Sequence, residues 1–213
     1  MNPIREEKRK KLIDLRKKAL DDDSLPLKEG ATNLVFGEGN VETDILFIGE
    51  GPGRWEDVKA RPFVGNAGAL LNQMLELIQI DRKDVFITNV IMYRPPDNRD
   101  PEQEEIEAFA PYVDGIIETI NPKMVVTLGR FSMAKFVPNV MISNVHGKPR
   151  TIKWKGIEFI VLPMYHPAAA LRNGDIKFKF KRDFEQIPEI LKDTQVVDGT
   201  IPEEDDSEQM SLV

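Results

Sequence analysis

Four apolar runs along the chain have the length and continuity of strands that are buried on both faces of a sheet. They cover residues 44–49, 85–92, 124–129 and 156–167, and a loop with Gly, Pro or polar residues follows each run. Continuous apolar runs, as opposed to alternating ones, are typical of parallel strands covered by helices. The pattern therefore predicts four strands of one buried sheet.

Segments with helical periodicity separate these runs. Helices are predicted over residues 3–20, 66–80, 100–120 and 176–193. Asp100 is expected to cap the third of them, with Pro101 in its first turn, and Pro188 is expected to divide the last. Strands that alternate with helices predict an α/β fold, a three-layer α/β/α sandwich around a central, mainly parallel four-stranded sheet.

Composition excludes several kinds of chemistry. The chain has no cysteine, so disulfides, thiolate nucleophiles and cysteine-bound iron–sulfur clusters are excluded. It has two histidines, His146 and His166, which disfavours a histidine-rich zinc site. No apolar run approaches the ~18 residues of a membrane helix, and no apolar stretch follows the basic N-terminus. We expect a cytoplasmic protein with no membrane contact and no metal.

The net charge of -7 is unevenly distributed. Residues 193–213 carry seven acids and no Lys or Arg, so the remaining 29 acids balance the 29 basic residues of the chain. A domain with no net charge can still carry a local basic surface that binds nucleic acid. We expect one folded domain over residues 1–193 and an acidic, disordered tail over 194–213.

Three loops with unusual content leave the carboxyl ends of predicted strands. They read "GEGPGRWED" (49–57), "TNVIMYRPPDNRD" (88–100) and "PMYHPAAALRN" (163–173). In a parallel α/β sheet these ends lie along one edge, and ligands bind beyond them. The loops are therefore predicted to form one site, although they are far apart in sequence.

Two readings stay open for each candidate side chain in or near these loops. Glu50 is either a solvated acid or helix cap, or a carboxylate beside a developing positive charge. Phe63 either packs in the core or stacks on a planar ligand. Asn89 either caps a loop or hydrogen-bonds the edge of a base. His166 is either a packed, satisfied group or a donor to an oxyanion.

The glycines of the first loop permit close approach of the backbone to a ligand. Gly49, Gly51 and Gly53 flank Glu50 and Pro52. Their spacing matches neither the dinucleotide fingerprint nor the phosphate-binding loop with its lysine. We therefore expect no nucleotide cofactor.

Basic residues near these loops are predicted to form a rim that follows a phosphate backbone. Lys148, Arg150 and Arg172 are the principal candidates for contacts with such a backbone. The wider set also includes Arg94, Arg99, Arg130, Lys177, Lys179, Lys181 and Arg182.

Taken together, the three loops resemble those of the family-4 uracil-DNA glycosylases, from about Asn33 to Phe184. The first motif stands here as "GEGPGRWED" and "RPFVGNAGALL", the second as "ITNVIMYRPPDNR" and the third as "YHPAAALRN". The resemblance implies hydrolysis of the N-glycosidic bond of deoxyuridine flipped out of DNA, by a monofunctional enzyme of base excision repair. A catalytically weak or inactive uracil-DNA binding protein of the same fold is the alternative.

The resemblance also implies a role for each candidate. Phe63 would stack on the uracil, Asn89 would recognise its edge and His166 would hydrogen-bond its O2 atom. Glu50 would assist the water and the cationic sugar. The backbone of residues 49–53 would face the deoxyribose and phosphate. Both Tyr93 and Leu171 remain candidates for the residue that inserts into the duplex.

This chain departs from the family at the iron–sulfur cluster. The family's four cysteines would lie near Asp22 and Leu25, at Tyr93 and near Phe109, and none is present. We therefore expect no cofactor, and we predict that Tyr93 and Phe109 pack together at the position of the cluster. Gly51 also replaces the usual alanine, and the usual glycine before Arg-Pro-Phe is missing.

The last five residues resemble the pentapeptide that docks on bacterial sliding clamps. Gln209, Met210, Leu212 and Val213 would make the contacts, although the family of peptides usually ends in Phe where Val213 stands. The predicted partners are uracil-containing DNA and a bacterial-type clamp.

Overall fold

The computed structural model describes residues 2–196 and contains one sheet. Its strands are β1 (Glu38–Gly39), β2 (Ile45–Gly49), β3 (Phe86–Asn89), β4 (Met124–Leu128), β5 (Arg150–Trp154) and β6 (Ile157–Met164). Their spatial order is β1-β3-β2-β4-β6-β5. The central four, β3, β2, β4 and β6, are parallel, and the edge strands β1 and β5 are antiparallel to their neighbours.

The α/β class and the parallel centre of the sheet are confirmed, but the predicted strand count of four is wrong because the sheet has six. The four predicted apolar runs correspond to the four central strands. The two additional strands lack that signal, since β1 has two residues and β5 has largely exposed side chains. An edge strand needs no continuous apolar sequence, because only one of its neighbours is a strand.

Helices cover both faces of the sheet. They are α1 (Pro3–Asp21), α2 (Arg54–Lys59), α3 (Asn66–Leu77), α4 (Gln103–Ile120), α5 (Arg130–Ala134), α6 (Ile142–Val145), α7 (Pro167–Arg172), α8 (Gly174–Glu185) and α9 (Ile187–Val196). The short helices α2, α5, α6 and α7 were not predicted. No helix within residues 2–196 has the length and apolarity needed to span a bilayer.

Two helix boundaries differ instructively from the sequence pattern. Asp100 does not cap α4. Glu102 is its N-cap, and the carboxylate of Glu105 accepts the backbone N–H of Glu102 in a capping box.

The predicted division near Pro188 is confirmed, with α8 ending at Glu185. Helix α9 continues past the predicted domain boundary to Val196, and residues 197–213 lie outside the described part of the chain.

Alternate side chains of the strands divide the core into two layers. Leu46 and Ile48 of β2 pack with residues of α1 and α4, whereas Phe47 packs with residues of α3 and α8. The rings of Phe47 and Phe184 stack with centroids 5.8 Å apart. Burial on both faces holds the central strands rigidly, and it fixes the positions of the loops that leave them.

The predicted contact between Tyr93 and Phe109 is confirmed. Their rings meet edge to face with centroids 6.0 Å apart, and both belong to the core layer that also contains Leu25. One helical turn beyond Phe109, the hydroxyl of Tyr112 donates to the Asp22 carboxylate at 2.6 Å.

These residues do not fit an iron–sulfur cluster. Such a cluster is held by cysteine thiolates, and the chain has no cysteine. Apolar rings and one hydrogen bond link the same three segments of chain. Within the described residues, no group of three or more acidic or histidine side chains is placed to hold a metal ion.

Candidate active site

The ends of the parallel strands bring eight of the residues predicted for the site into one cleft of about 330 Å³. Gly49 pairs with Asn89 across β2 and β3, so Glu50, the first residue after β2, lies next to the end of β3. His166 follows β6. The eight residues are Glu50, Gly51, Pro52, Gly53, Phe63, Asn89, His166 and Arg172, and Arg99 of the wider basic set also lines the cleft.

Asn89 presents an unpaired amide to this cleft. The residue is 1 % exposed, and neither its Oδ1 nor its Nδ2 has a hydrogen-bond partner among the described residues. A buried polar group without a partner costs about 1–3 kcal/mol. A side chain that keeps both its donor and its acceptor unsatisfied at the wall of a cleft is suited to a ligand that supplies the complementary pair.

Phe63 is held in an unusual backbone conformation beside Asn89. Its φ is 50°, in the left-handed region that few side chains adopt. The guanidinium of Arg82 donates to the carbonyls of Pro62 at 2.7 Å and of Phe63 at 3.2 Å. The ring is buried, and its centroid lies 5.7 Å from that of His166. A planar ligand in the cleft would therefore meet a fixed aromatic face.

Gly49 permits this arrangement because it has no side chain. A Cβ at this position would lie 2.6 Å from the Phe63 ring and closer still to the Asn89 amide oxygen. Any larger residue would have to displace one of them.

His166 is the N-cap of α7, and this fixes its tautomer. Its Nδ1 accepts the backbone N–H of Ala168 at 3.1 Å. Nδ1 is therefore unprotonated, so a neutral ring carries its proton on Nε2. Burial lowers the pKa of His166 to about 4, and the carboxylate of Glu56 opposes part of this shift. The residue is thus a neutral hydrogen-bond donor at physiological pH.

Glu50 lies against the start of α5. The Phe131 N–H donates to its Oε1 at 3.2 Å. A Cβ on Gly129, whose φ is 109°, would collide with the Glu50 carboxyl. Burial raises the pKa of Glu50, while the backbone donors of α5 lower it in part and the nearby charge of Asp100 raises it further. Glu50 is therefore not a fully solvated acid, and its carboxylate caps the first turn of α5 while it also lines the cleft.

Two residues at the cleft had no role in the sequence analysis. The Glu56 carboxylate accepts the N–H groups of Val64 and Gly65, both at 2.8 Å, and so holds the turn that carries Phe63. Gly129 provides the space for Glu50. Glu56 could have been noticed from the sequence, because it belongs to the Glu-Asp pair that follows the glycine loop. Gly129 could not, because no distinctive residue accompanies it at the end of its predicted strand.

The basic residues occupy different environments. Arg172 lines the cleft. Lys148 and Arg150 lie near the same edge of the sheet, because the N–H of Gly147 donates to the Pro163 carbonyl and Arg150 pairs with Val161.

Two members of the wider basic set are engaged in ion pairs. Arg99 binds Glu105 at 2.5 Å, and Arg130 binds Asp100 at 2.5 Å. Both pairs border the cleft. These guanidinium groups therefore support the loop after β3, and they are less available for phosphates than the sequence suggested.

Tyr93 and Leu171 are no longer equivalent as candidates for insertion into a duplex. Tyr93 is buried against Phe109. Leu171 is 47 % exposed at the end of α7, next to Arg172 of the cleft. Of the two, Leu171 alone is placed where it could reach DNA.

Comparison with known proteins gives one consistent family. The model of the uracil DNA glycosylase superfamily matches residues 36–192. The type-4 uracil-DNA glycosylase of Sulfurisphaera tokodaii is 49 % identical over 75 % of each chain. That of Archaeoglobus fulgidus is 41 % identical over 84 % of this chain and 92 % of its own. A DNA polymerase of Bacillus phage SP01 is 30 % identical over 78 % of this chain and 18 % of the polymerase.

Gly49→Ala tests the close packing around Gly49. We expect the methyl group to displace the Phe63 ring or the Asn89 amide and to lower the free energy of unfolding by about 1–3 kcal/mol, as overpacking does. Denaturant unfolding and a crystal structure of the variant measure the two effects. Gly30→Ala is the matched control, since nothing lies within 4 Å of its added methyl. Equal stability of the two variants would contradict the analysis.

Proposed function

The chain belongs to the uracil-DNA glycosylase superfamily, and with its type-4 relatives and the cleft geometry as premises we propose that it hydrolyses the N-glycosidic bond of deoxyuridine in DNA. The observation that carries this proposal is the buried, unpaired amide of Asn89 beside the fixed ring of Phe63. The edge of uracil offers a carbonyl oxygen next to an N–H, which together complement one side-chain amide. The base must leave the helix to reach this amide.

Bond cleavage places opposite charges on the two products of the first step. The C1′–N1 electron pair leaves with uracil, so the base becomes anionic and the sugar becomes cationic. The neutral His166 donates from Nε2 to the O2 atom of the departing base, where negative charge develops. The Glu50 carboxylate stabilises the cationic sugar and orients the water that adds to C1′. The water's proton passes to solvent or to Glu50.

We further propose that the enzyme is monofunctional. Glycosylases that also cut the strand need an amine nucleophile to form a Schiff base with the sugar. No lysine is among the described residues that line the cleft. With water as nucleophile, the product is an intact strand with an abasic site.

An oligonucleotide with a single uracil tests both proposals. After incubation with the protein, we expect scission at the uracil position only when alkali is added, and no scission of the thymine-containing control. Scission before alkali would contradict the monofunctional proposal. Binding of the uracil strand with no abasic product would favour a binding protein of the same fold.

The site residues have their own test. Replacing His166 with Ala removes an oxyanion donor, so kcat should fall by about 10²–10³-fold. Asn89→Ala should lower kcat/KM at least about tenfold, because the base loses a pair of hydrogen bonds in a dry site. His146→Ala is the control, since this second histidine pairs with Asp183 at 2.8 Å outside the cleft. Wild-type rates in either site variant, with the fold intact by circular dichroism, would refute the assignment.

The activity should depend on pH through Glu50. The pKa of this carboxyl is raised by burial, and the ionised form is the one that stabilises the sugar cation. The rate should therefore fall as pH falls through that raised pKa, above the pH at which an ordinary Glu protonates. His166, with a pKa of about 4, stays neutral over this range.

Glu50→Gln identifies the titrating group. The variant should be slower at neutral pH and should lack the acid limb of the kcat profile, because its amide does not titrate. An unchanged acid limb in this variant would assign the titration to another residue.

We also propose that the C-terminal pentapeptide, residues 209–213, docks on a sliding clamp of the bacterial type. Its likeness to clamp-binding peptides supports this, and so does the match between this chain and part of a phage DNA polymerase. Tethering to a clamp would raise the local concentration of the enzyme at newly made DNA. These residues lie outside the described part of the chain.

Deletion of residues 209–213 tests this docking. Pull-down of a purified bacterial clamp should be lost, while excision of uracil from free oligonucleotides stays unchanged. Clamp binding that survives the deletion would overturn the proposal and leave the glycosylase activity unaffected.

A further inference from the structure

Trp55 is a large exposed aromatic residue beside the cleft that the proposed chemistry does not use. It lies on α2 and is 56 % exposed. Its neighbours on the same helix face the site, since Gly53, the N-cap, and Glu56 both line the cleft. The surface around Trp55 is thus continuous with the active-site cleft.

The indole lies beside the turn that carries Phe63. Its Cδ1 atom lies 3.7 Å from the position that a Cβ on Gly65 would occupy. The buried Phe63 ring and the exposed indole of Trp55 therefore flank the same turn. Glu56 is hydrogen-bonded to this turn, which holds the α2 backbone firmly against it. The backbone that carries the indole is thus fixed, and the ring itself is exposed to solvent.

A cation accompanies this surface. The guanidinium carbon of Arg54 lies 5.8 Å from the centroid of the Trp55 ring. Within residues 2–196 no acidic side chain forms an ion pair with Arg54, in contrast to Arg61, which binds Glu38 at 2.6 Å. One turn further on, Val58 is also 55 % exposed. An unpaired cation next to an open aromatic face combines the two groups that bind single-stranded nucleic acid.

We propose that Trp55 and Arg54 form a stacking site for an unpaired base near the everted uridine of a single-stranded DNA substrate. The indole contacts the base face and Arg54 contacts a backbone phosphate. This inference rests on the proposed glycosylase function. A nucleic-acid partner is favoured over a protein because the surface continues into the cleft and carries a free positive charge. The strand that delivers uridine to Phe63 must itself continue beyond the cleft.

The site should distinguish single strands from duplexes. In a duplex, the bases that flank an everted nucleotide remain stacked and paired, so their faces are not free to contact the indole. In a single strand every base has an open face, and stacking does not depend on its identity. The benefit of Trp55 should therefore appear with single-stranded substrate and be independent of the flanking sequence.

Trp55→Ala in the full-length protein tests this directly. With a single-stranded uracil oligonucleotide we expect KM to rise roughly 5- to 150-fold, the loss typical of one stacked base, at unchanged kcat. With duplex substrate, KM should change less than about twofold. Trp55→Phe should restore most of the affinity. Ile13→Ala, which removes an equally exposed apolar side chain on α1, should leave both substrates unaffected.

Fluorescence gives a second measurement that does not depend on turnover. Trp154 is the other tryptophan of the chain, so Trp154→Phe leaves Trp55 as the only indole. Emission of this variant should be quenched when a single-stranded oligonucleotide without uracil is added, and it should respond much less to the matching duplex.

The possible failures are distinguishable. If the wild-type protein excises uracil but Trp55→Ala has unchanged KM on single strands, or an equal loss on both substrates, the stacking site is refuted and the glycosylase function stands. Unchanged KM on both substrates would instead favour a protein partner for the surface around Trp55. If the wild-type protein excises no uracil at all, the proposed function itself fails, whatever the fluorescence shows.

Discussion

The pairing of Gly49 with Asn89 across β2 and β3 is the constraint on which the cleft depends. In-register parallel strands end side by side, so the pairing places the last side chain of β3 next to the first loop residue after β2. The missing Cβ of Gly49 then admits the Phe63 ring beside the Asn89 amide. A slip of one residue would point Asn89 to the opposite face of the sheet. The two-sided apolar burial of β2 and β3 prevents that slip, so the core determines the geometry of the polar site.

The same burial determines the charge states in the cleft. It lowers the pKa of His166 and raises that of Glu50, so both groups are displaced towards their neutral forms. The two side chains nevertheless differ in charge state because their hydrogen-bond partners differ. The Ala168 N–H occupies one nitrogen of His166 and leaves a neutral donor, whereas the backbone donors at the start of α5 favour ionised Glu50. The same cleft can thus hold a neutral donor at His166 and a carboxylate at Glu50.

The sequence allowed the centre of the fold and the principal site residues to be predicted, and the limits follow from physical causes. Continuous apolar runs identified the parallel strands, and their topology required the three loops to meet. Edge strands and short helices were not predicted, because they are determined by packing against residues that are distant in sequence. Glu102 rather than Asp100 caps α4 because Glu102 and Glu105 form a capping box, and the Asp100 carboxylate instead pairs with Arg130. The role of Glu56 depends on a turn eight and nine residues away, which no local pattern reveals.

The loss of the cluster cysteines is compatible with this geometry because of where Tyr93 lies. The loop after β3 starts directly after Asn89, so whatever fixes Tyr93 also limits the movement of Asn89. In the described structure Phe109 holds the Tyr93 ring, and Tyr112 ties α4 to Asp22 after α1. Three segments that a metal cluster would cross-link are therefore joined by apolar burial and a hydrogen bond. Since an edge-to-face aromatic pair adds only ~0.5–1.5 kcal/mol beyond its burial, the replacement must rely on the whole surrounding layer, which here includes Leu25 and Val113. The anchoring of the loop that follows Asn89 is thus distributed over the core and does not depend on a single prosthetic group.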